Sequence, residues 1–212
     1  MNVRWLDRIK YEDALALQNE LVTSKATNPA APDELLLMEH EPVFTIGRTQ
    51  DQSSLRNAEA LSAPFVVINR GGQATWHGPG QLVGYPILDL RRRGSDLHRY
   101  LRELEEMIIL VCAEFGVAAR RREGLTGVWA EDRKIASIGV GVRRWISMHG
   151  FALNVCGALE GFDDITPCGL AGVTMTSLER EGARGVTVKG VADATAGIFA
   201  RMFSDEAPVP AS

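Results

Sequence analysis

Cysteine is scarce in this chain. There are three in 212 residues, Cys112, Cys156 and Cys168, widely spaced and odd in number. That argues against a disulfide framework and fits a reducing compartment. No apolar run approaches the length needed to cross a bilayer, and the opening residues Met1–Asp7 lack the uninterrupted apolar stretch of a secretory leader. The expectation is a cytoplasmic protein with no membrane partner. An excess of positive charge is also missing: the formal net charge is −4, which disfavours a general nucleic-acid binder. Only four histidines occur, His40, His77, His98 and His149, and none pairs with a cysteine at metal-ligand spacing, so no metal is expected. Neither a phosphate-cradling Gly-Lys-Ser/Thr loop nor a dinucleotide fingerprint is present.

Glycine, by contrast, is concentrated. Residues 70–81 read Arg-Gly-Gly-Gln-Ala-Thr-Trp-His-Gly-Pro-Gly-Gln, between the apolar runs Phe65–Ile68 and Leu82–Leu90. Glycine backbone can approach a ligand with no Cβ in the way, so this loop suits an uncharged or carbonyl-bearing ligand met by Arg70, Gln73, Thr75 and His77. The plainer reading is a glycine-rich hairpin connection with no ligand.

The periodicity predicts mixed α and β structure. Tyr11 to about Lys25 carries the apolar stripe of an amphipathic helix. Glu34–His40 and Pro42–Ile46 look like strands, the first fully buried. Asp96 can cap a long helix to about Phe115 that Gly116 ends. Thr126–Ala130 and Lys134–Val142 flank a polar turn as a hairpin, Trp145–Val155 suggests a further strand pair, and Thr187 can cap a closing helix to about Phe203. Strand runs with separate helices favour an α+β fold, a mixed sheet backed by helices, in one domain over 1–203 with a disordered tail at 204–212. The arginine clusters 91–93, 120–122 and 143–144 are either solvated surface or a docking surface for an acidic protein.

Two residues are candidates for chemistry. Cys168 stands between Pro167 and Gly169 in a stretch without helix or strand periodicity, where a thiolate could attack an acyl carbon. Cys112, inside the long helix, and Cys156, ending an apolar strand, look structural. Lys134 opens the strand Lys134–Val140 on a largely apolar face, either at a rim or partly desolvated beside the Cys168 sulfur. A pairing of Cys168 with His77 or His149 is open as well. Backbone amides near Gly71-Gly72 or Cys168-Gly169 could stabilise a tetrahedral oxyanion, with Thr75 and His77 positioning the acyl carbonyl.

Four segments then carry a resemblance: the glycine-rich stretch 70–81, Lys134-Ile-Ala-Ser-Ile-Gly139, Met148-His-Gly-Phe-Ala-Leu-Asn154 and Pro167-Cys-Gly-Leu170. Their order and spacing resemble bacterial lipoate-biosynthesis octanoyltransferases, from the first helix to about Glu181. The resemblance implies the fold of biotin and lipoate protein ligase catalytic domains and no cofactor. It implies transfer of an octanoyl group from octanoyl-acyl carrier protein to a lysine on lipoyl domains of 2-oxoacid dehydrogenases or the glycine cleavage H protein. Carried over, Cys168 is the acyl-thioester nucleophile and Lys134 the group that stabilises its thiolate. Arg70, Gly71, Gly72, Gln73, Ala74, Thr75, Trp76 and His77, with Ser137, Ile138, Gly139, Gly150, Phe151 and Ala152, line the acyl site. Trp76 stands where the family usually has tyrosine and Leu170 where isoleucine is common, so Trp76 is expected to alter acyl-chain fit. The rival readings are an ATP-dependent lipoate or biotin ligase, which needs no cysteine, and a non-catalytic carrier-binding or lipoyl-domain-binding module.

Overall fold

The structure, a computed structural model, describes residues 1–47, 54–55, 61–166 and 172–204. The strands are β1 (Asn2–Ile9), β2 (Glu34–His40), β3 (Val43–Ile46), β4 (Phe65–Val67), β5 (Thr75–His77), β6 (Gln81–Ile87), β7 (Arg120–Arg122), β8 (Leu125–Ala130), β9 (Arg133–Arg143), β10 (Ile146–Asn154) and β11 (Thr174–Met175). The helices are α1 (Tyr11–Thr27), α2 (Leu97–Glu114) and α3 (Val188–Phe203). An eight-stranded mixed sheet runs β1-β2-β6-β10-β9-β8-β7, with β11 also pairing to β9, and a three-stranded sheet runs β4-β3-β5. The fold is α+β.

Period-two alternation sends successive residues of the large sheet to opposite layers. Leu35 and Leu37 of β2 join α2 and α3 in one core, with Leu104, Ile108, Val191 and Phe199. Leu36 and Met38 face the other way, with Tyr11 and Ala14 of α1. A strand covered on both faces is expected to be continuously apolar, as β2 is. A third cluster joins the small sheet to Phe162 and Ile165.

Both anticipated caps form. The Asp96 carboxylate accepts from the Arg99 N–H at 3.0 Å, and the Thr187 hydroxyl from the Gly190 N–H at 3.1 Å. Three expectations need correction. β1 was not foreseen, because its Arg4, Asp7 and Arg8 break any apolar pattern. It is an edge strand paired parallel to β2 and tied by Arg4, whose guanidinium donates to both Glu34 carboxylate oxygens. The segment Trp145–Val155 is not a strand pair: β10 is one continuous strand, antiparallel to both β9 and β6. The glycine-rich stretch is not wholly a loop, since β5 pairs with β3 within it.

The arginine clusters are substantially tied to the protein's own surface. Arg91 pairs with Asp89, Arg93 with Glu103, and Arg121 with Glu105 and Glu106, while Arg122 stacks 4.7 Å over the Trp129 ring. Cys112 is buried in the α2 core, where desolvation pushes its thiol up to about 12; burial also raises the half-buried Cys156. Among the described residues no helix is long and apolar enough to cross a membrane, and no group of three or more His, Cys, Asp or Glu side chains could hold a metal ion.

Candidate active site

The glycine-rich stretch packs over the middle of β9 and β10, fastened at Val140, and a pocket lies between them. The sequence-derived residues Arg70, Gly72, Gln73, Thr75 and His77 line it on one side. Ser137, Ile138 and Gly139 of β9 and Gly150, Phe151 and Ala152 of β10 line the other. Three expected residues do not. The Gly71 N–H donates to the Val140 carbonyl at 3.1 Å, fastening the stretch to β9. That amide is therefore committed within the fold, which corrects its expected place in an oxyanion hole.

Trp76 lies on the opposite face of β5 from Thr75 and His77, and Ala74, just ahead of the strand, shares its side. Ala74 and Trp76 belong to the third core cluster, where the Trp76 ring meets Phe162 edge-on at 5.5 Å. Alternation decides this: adjacent residues of a strand cannot face the same side. The expectation that Trp76 shapes acyl-chain fit is thus corrected, because its ring packs against the protein interior.

Four lining residues had not been assigned to the pocket from sequence: Tyr11, Ile68, Tyr85 and His149. Tyr11 opens a helix and Tyr85 sits in an apolar strand, so each looked like ordinary core. The Tyr11 hydroxyl is buried and has no hydrogen-bond partner among the described residues, and desolvation raises its pKa. His149, weighed only as a partner for Cys168, has φ of +56°, uncommon for a residue other than glycine. Its N–H donates to Oε1 of the buried Gln18 on α1 at 2.7 Å.

The His40 and His77 imidazoles are neutral hydrogen-bonding groups. His40 Nδ1 lies 3.1 Å from the Ile9 carbonyl, which can only accept, so Nδ1 carries the proton and Nε2 accepts from the Tyr85 hydroxyl at 2.8 Å. His77 Nδ1 donates to Gln81 Oε1 at 2.7 Å, and Gln81 Nε2 donates to Asn154 Oδ1 at 2.8 Å. Burial, with nearby His40 a lesser cause, pushes the His77 pKa down to about 3. An imidazole held neutral can position a carbonyl-bearing group through its neighbours but makes a poor acid at neutral pH. Asn154 continues the network to the Thr176 carbonyl, and the Thr176 N–H donates to the Lys134 carbonyl.

Lys134 is almost fully buried, at 1% exposure, which removes the rim reading. Its ammonium donates to the Thr126 carbonyl at 3.3 Å and lies 5.5 Å from the Trp129 ring centre. Cys168, with Pro167, Gly169 and Leu170, lies outside the described residues.

The model of the lipoyl protein ligase A/B catalytic domain matches residues 10–200. The chain belongs to this family. Within it, an octanoyltransferase of Geobacter sulfurreducens is 51% identical over 208 residues, covering 98% of this chain and 87% of that one. An octanoyltransferase of Synechococcus elongatus is 48% identical over 196 residues, covering 92% and 84%. Among solved structures, lipoate-protein ligase A bound with ATP superposes with a TM-score of 0.75 at 15% identity, covering 94% of this chain and 85% of that one. A bipartite lipoate protein ligase, described with its E2 lipoyl domain, from Thermoplasma acidophilum gives 0.71 at 15% identity, covering 94% and 82%. At that identity the two structures establish the fold alone, and the fold is the family's.

Proposed function

We propose that this chain is an octanoyltransferase that moves an octanoyl group from octanoyl-acyl carrier protein to a lysine of lipoyl domains, through a thioester on Cys168. The observation that carries this reading is the pocket. Its walls of Ile68, Ile138, Phe151 and Ala152 suit a saturated chain, while Arg70, Thr75 and His77 suit the carbonyl end. The near 50% identity to chains named octanoyltransferase supports it. So does the described chain on both sides of the Cys168 segment: the Thr166 N–H is held by the Ser54 carbonyl at 2.7 Å, and Met175 pairs with Lys134 itself.

The reaction has two half-steps. The Cys168 thiolate attacks the carbonyl carbon of the carrier thioester. The carbon–sulfur bond to the carrier breaks, and the departing thiolate takes a proton from the Lys134 ammonium. The acceptor lysine, as a neutral amine, then attacks the enzyme thioester. A carbon–nitrogen bond forms, Cys168 leaves as thiolate, and the amine's proton returns to Lys134. Thioester to amide runs downhill, so no nucleotide is consumed; the protein supplies alignment, an activated sulfur and a proton store. The acceptors are lipoyl domains of 2-oxoacid dehydrogenases or the glycine cleavage H protein, and the site of action is the cytoplasm.

The test is intact-protein mass spectrometry after mixing with octanoyl-carrier and no ATP. Wild type gains one octanoyl adduct, discharged by a lipoyl domain, and Cys168→Ala gains none. An adduct that persists in Cys168→Ala, or acylation of the lipoyl domain that requires free octanoate and ATP, overturns the proposal.

A further inference from the structure

Helix α2 carries a carboxylate where its neighbours are core. Glu105 stands beside Leu104 and Ile108 and is fully buried, at 0% exposure. A charge removed from water is costly unless it is paired and hydrogen-bonded. Glu105 is both. Oε2 accepts from Arg102 Nη1 at 2.6 Å and Arg121 Nε at 3.2 Å, and Oε1 accepts from the Gly127 N–H at 3.0 Å.

That last bond meets Lys134. The Gly127 N–H and the Thr126 carbonyl belong to one peptide group, and the Thr126 carbonyl accepts from the Lys134 ammonium at 3.3 Å. A planar trans peptide points its N–H and C=O in opposite directions. Carboxylate, peptide and ammonium therefore stand in series, negative end to positive end, and each bond polarises the next. Gly127 is shaped for this. Its φ is +128°, and a Cβ there would lie 2.8 Å from Lys134 Cε and 3.2 Å from Nζ.

We infer that Glu105 is a positioning residue for the proposed transfer: through the Thr126–Gly127 peptide it holds the Lys134 ammonium in the place and orientation that serve the Cys168 thiolate. The inference rests on the proposed pairing of Lys134 with Cys168, and it adds a group that touches neither substrate nor sulfur.

The experiment is a double-mutant cycle read by iodoacetamide labelling of Cys168, quantified on its own peptide so that Cys156 does not interfere. Labelling is followed against pH through neutrality, with circular dichroism as the check of folding. Glu105→Gln is expected to slow labelling near neutral pH by about tenfold, equivalent to about one unit in a titration midpoint. Lys134→Ala is expected to slow it at least as much, and the double variant no further than Lys134→Ala alone. Should Glu105→Gln not fold, Glu105→Asp keeps the charge but shortens the reach to the Gly127 N–H, and should show the same non-additivity with Lys134→Ala. Slow labelling in Lys134→Ala but wild-type rates in Glu105→Gln overturns the role of Glu105 and leaves the pairing intact. An equal further loss when Glu105→Gln is added to Lys134→Ala overturns it as well, since the carboxylate then acts elsewhere. Wild-type labelling in Lys134→Ala removes the pairing, and the inference with it.

Discussion

Through a single nitrogen, Nη2, Arg70 donates to both oxygens of Thr45, carbonyl and hydroxyl, each at 3.0 Å; its Nη1 donates to the Gly71 carbonyl at 2.8 Å. The guanidinium thereby joins β3 to the glycine-rich stretch while forming part of the pocket. A lysine keeps the charge but has no planar fork to span these acceptors. Arg70→Lys is expected to lower kcat/KM for octanoyl-carrier by at least about tenfold, or about 1.4 kcal/mol, while Thr45→Val, which removes one acceptor, should cost less. Steady-state transfer to a lipoyl domain checks both, and an unchanged kcat/KM in Arg70→Lys would refute the bridging role.

His77 sets a pH dependence of stability. In the folded chain burial holds its pKa at about 3, against about 6.5 for an unperturbed imidazole. Between those values the unfolded state binds a proton that the folded state refuses. Stability therefore rises with pH in that window and is lost as pH falls from about 6.5 toward 3. The slope from His77 alone reaches about 1.4 kcal/mol per pH unit, and His40, lowered by the same cause, acts in the same direction. Urea unfolding at a series of pH values should show this slope, and His77→Gln should flatten it. Equal slopes in the two proteins would assign the effect to other groups.

Gly84 of β6 lies beneath the Phe151 ring: a Cβ there would stand 2.1 Å from the ring's Cζ. Phe151 also lines the pocket, so the missing side chain at position 84 leaves room for the outer end of an aromatic wall. Gly84→Ala should destabilise by about 1–3 kcal/mol, the usual cost of overpacking, and weaken octanoate binding. Combining it with Phe151→Leu should recover part of both losses in denaturant melts and calorimetric titration. Strict additivity of the two changes would place the strain elsewhere.

Gln18 lies in α1, yet its effect should be felt across the core on β10. Gln18→Leu removes the acceptor that the His149 N–H uses, a loss that costs about 1–3 kcal/mol. Because His149 sits at positive φ beside the pocket, the same change should alter KM for the acyl donor. Loss of stability with an untouched KM would mean that α1 supports the strand but not the site.

Most of the architecture was written in local patterns. Asp96 and Thr187 cap the helices they were expected to cap, and Glu131-Asp132, within the expected polar turn, separates β8 from β9, because caps and turns depend on neighbouring residues. β1 escaped notice because an edge strand exposes one side, and Arg4 and Arg8 occupy positions at which a core strand would show apolar residues. The pocket was half visible. Glycine clustering marked the stretch 70–81 and the family resemblance alone marked 137–139 and 150–152, whereas Tyr11, Tyr85 and His149 reach it from elements whose sequence resembles ordinary core. Lys134 was singled out, but its burial and its link to Glu105 depend on α2 docking against β8, a long-range contact that periodicity does not encode. Trp76 falls on the other side because the resemblance carries over the run 70–77 whole, whereas strand alternation sends neighbouring residues to opposite faces.

β5 spans only three residues, yet one of its faces meets the pocket and the other the interior. Inserting or deleting one residue just ahead of it would exchange them, turning an indole toward the pocket and an imidazole into hydrocarbon. A length change upstream of Thr75 would therefore disturb the pocket wall and the interior cluster in one stroke.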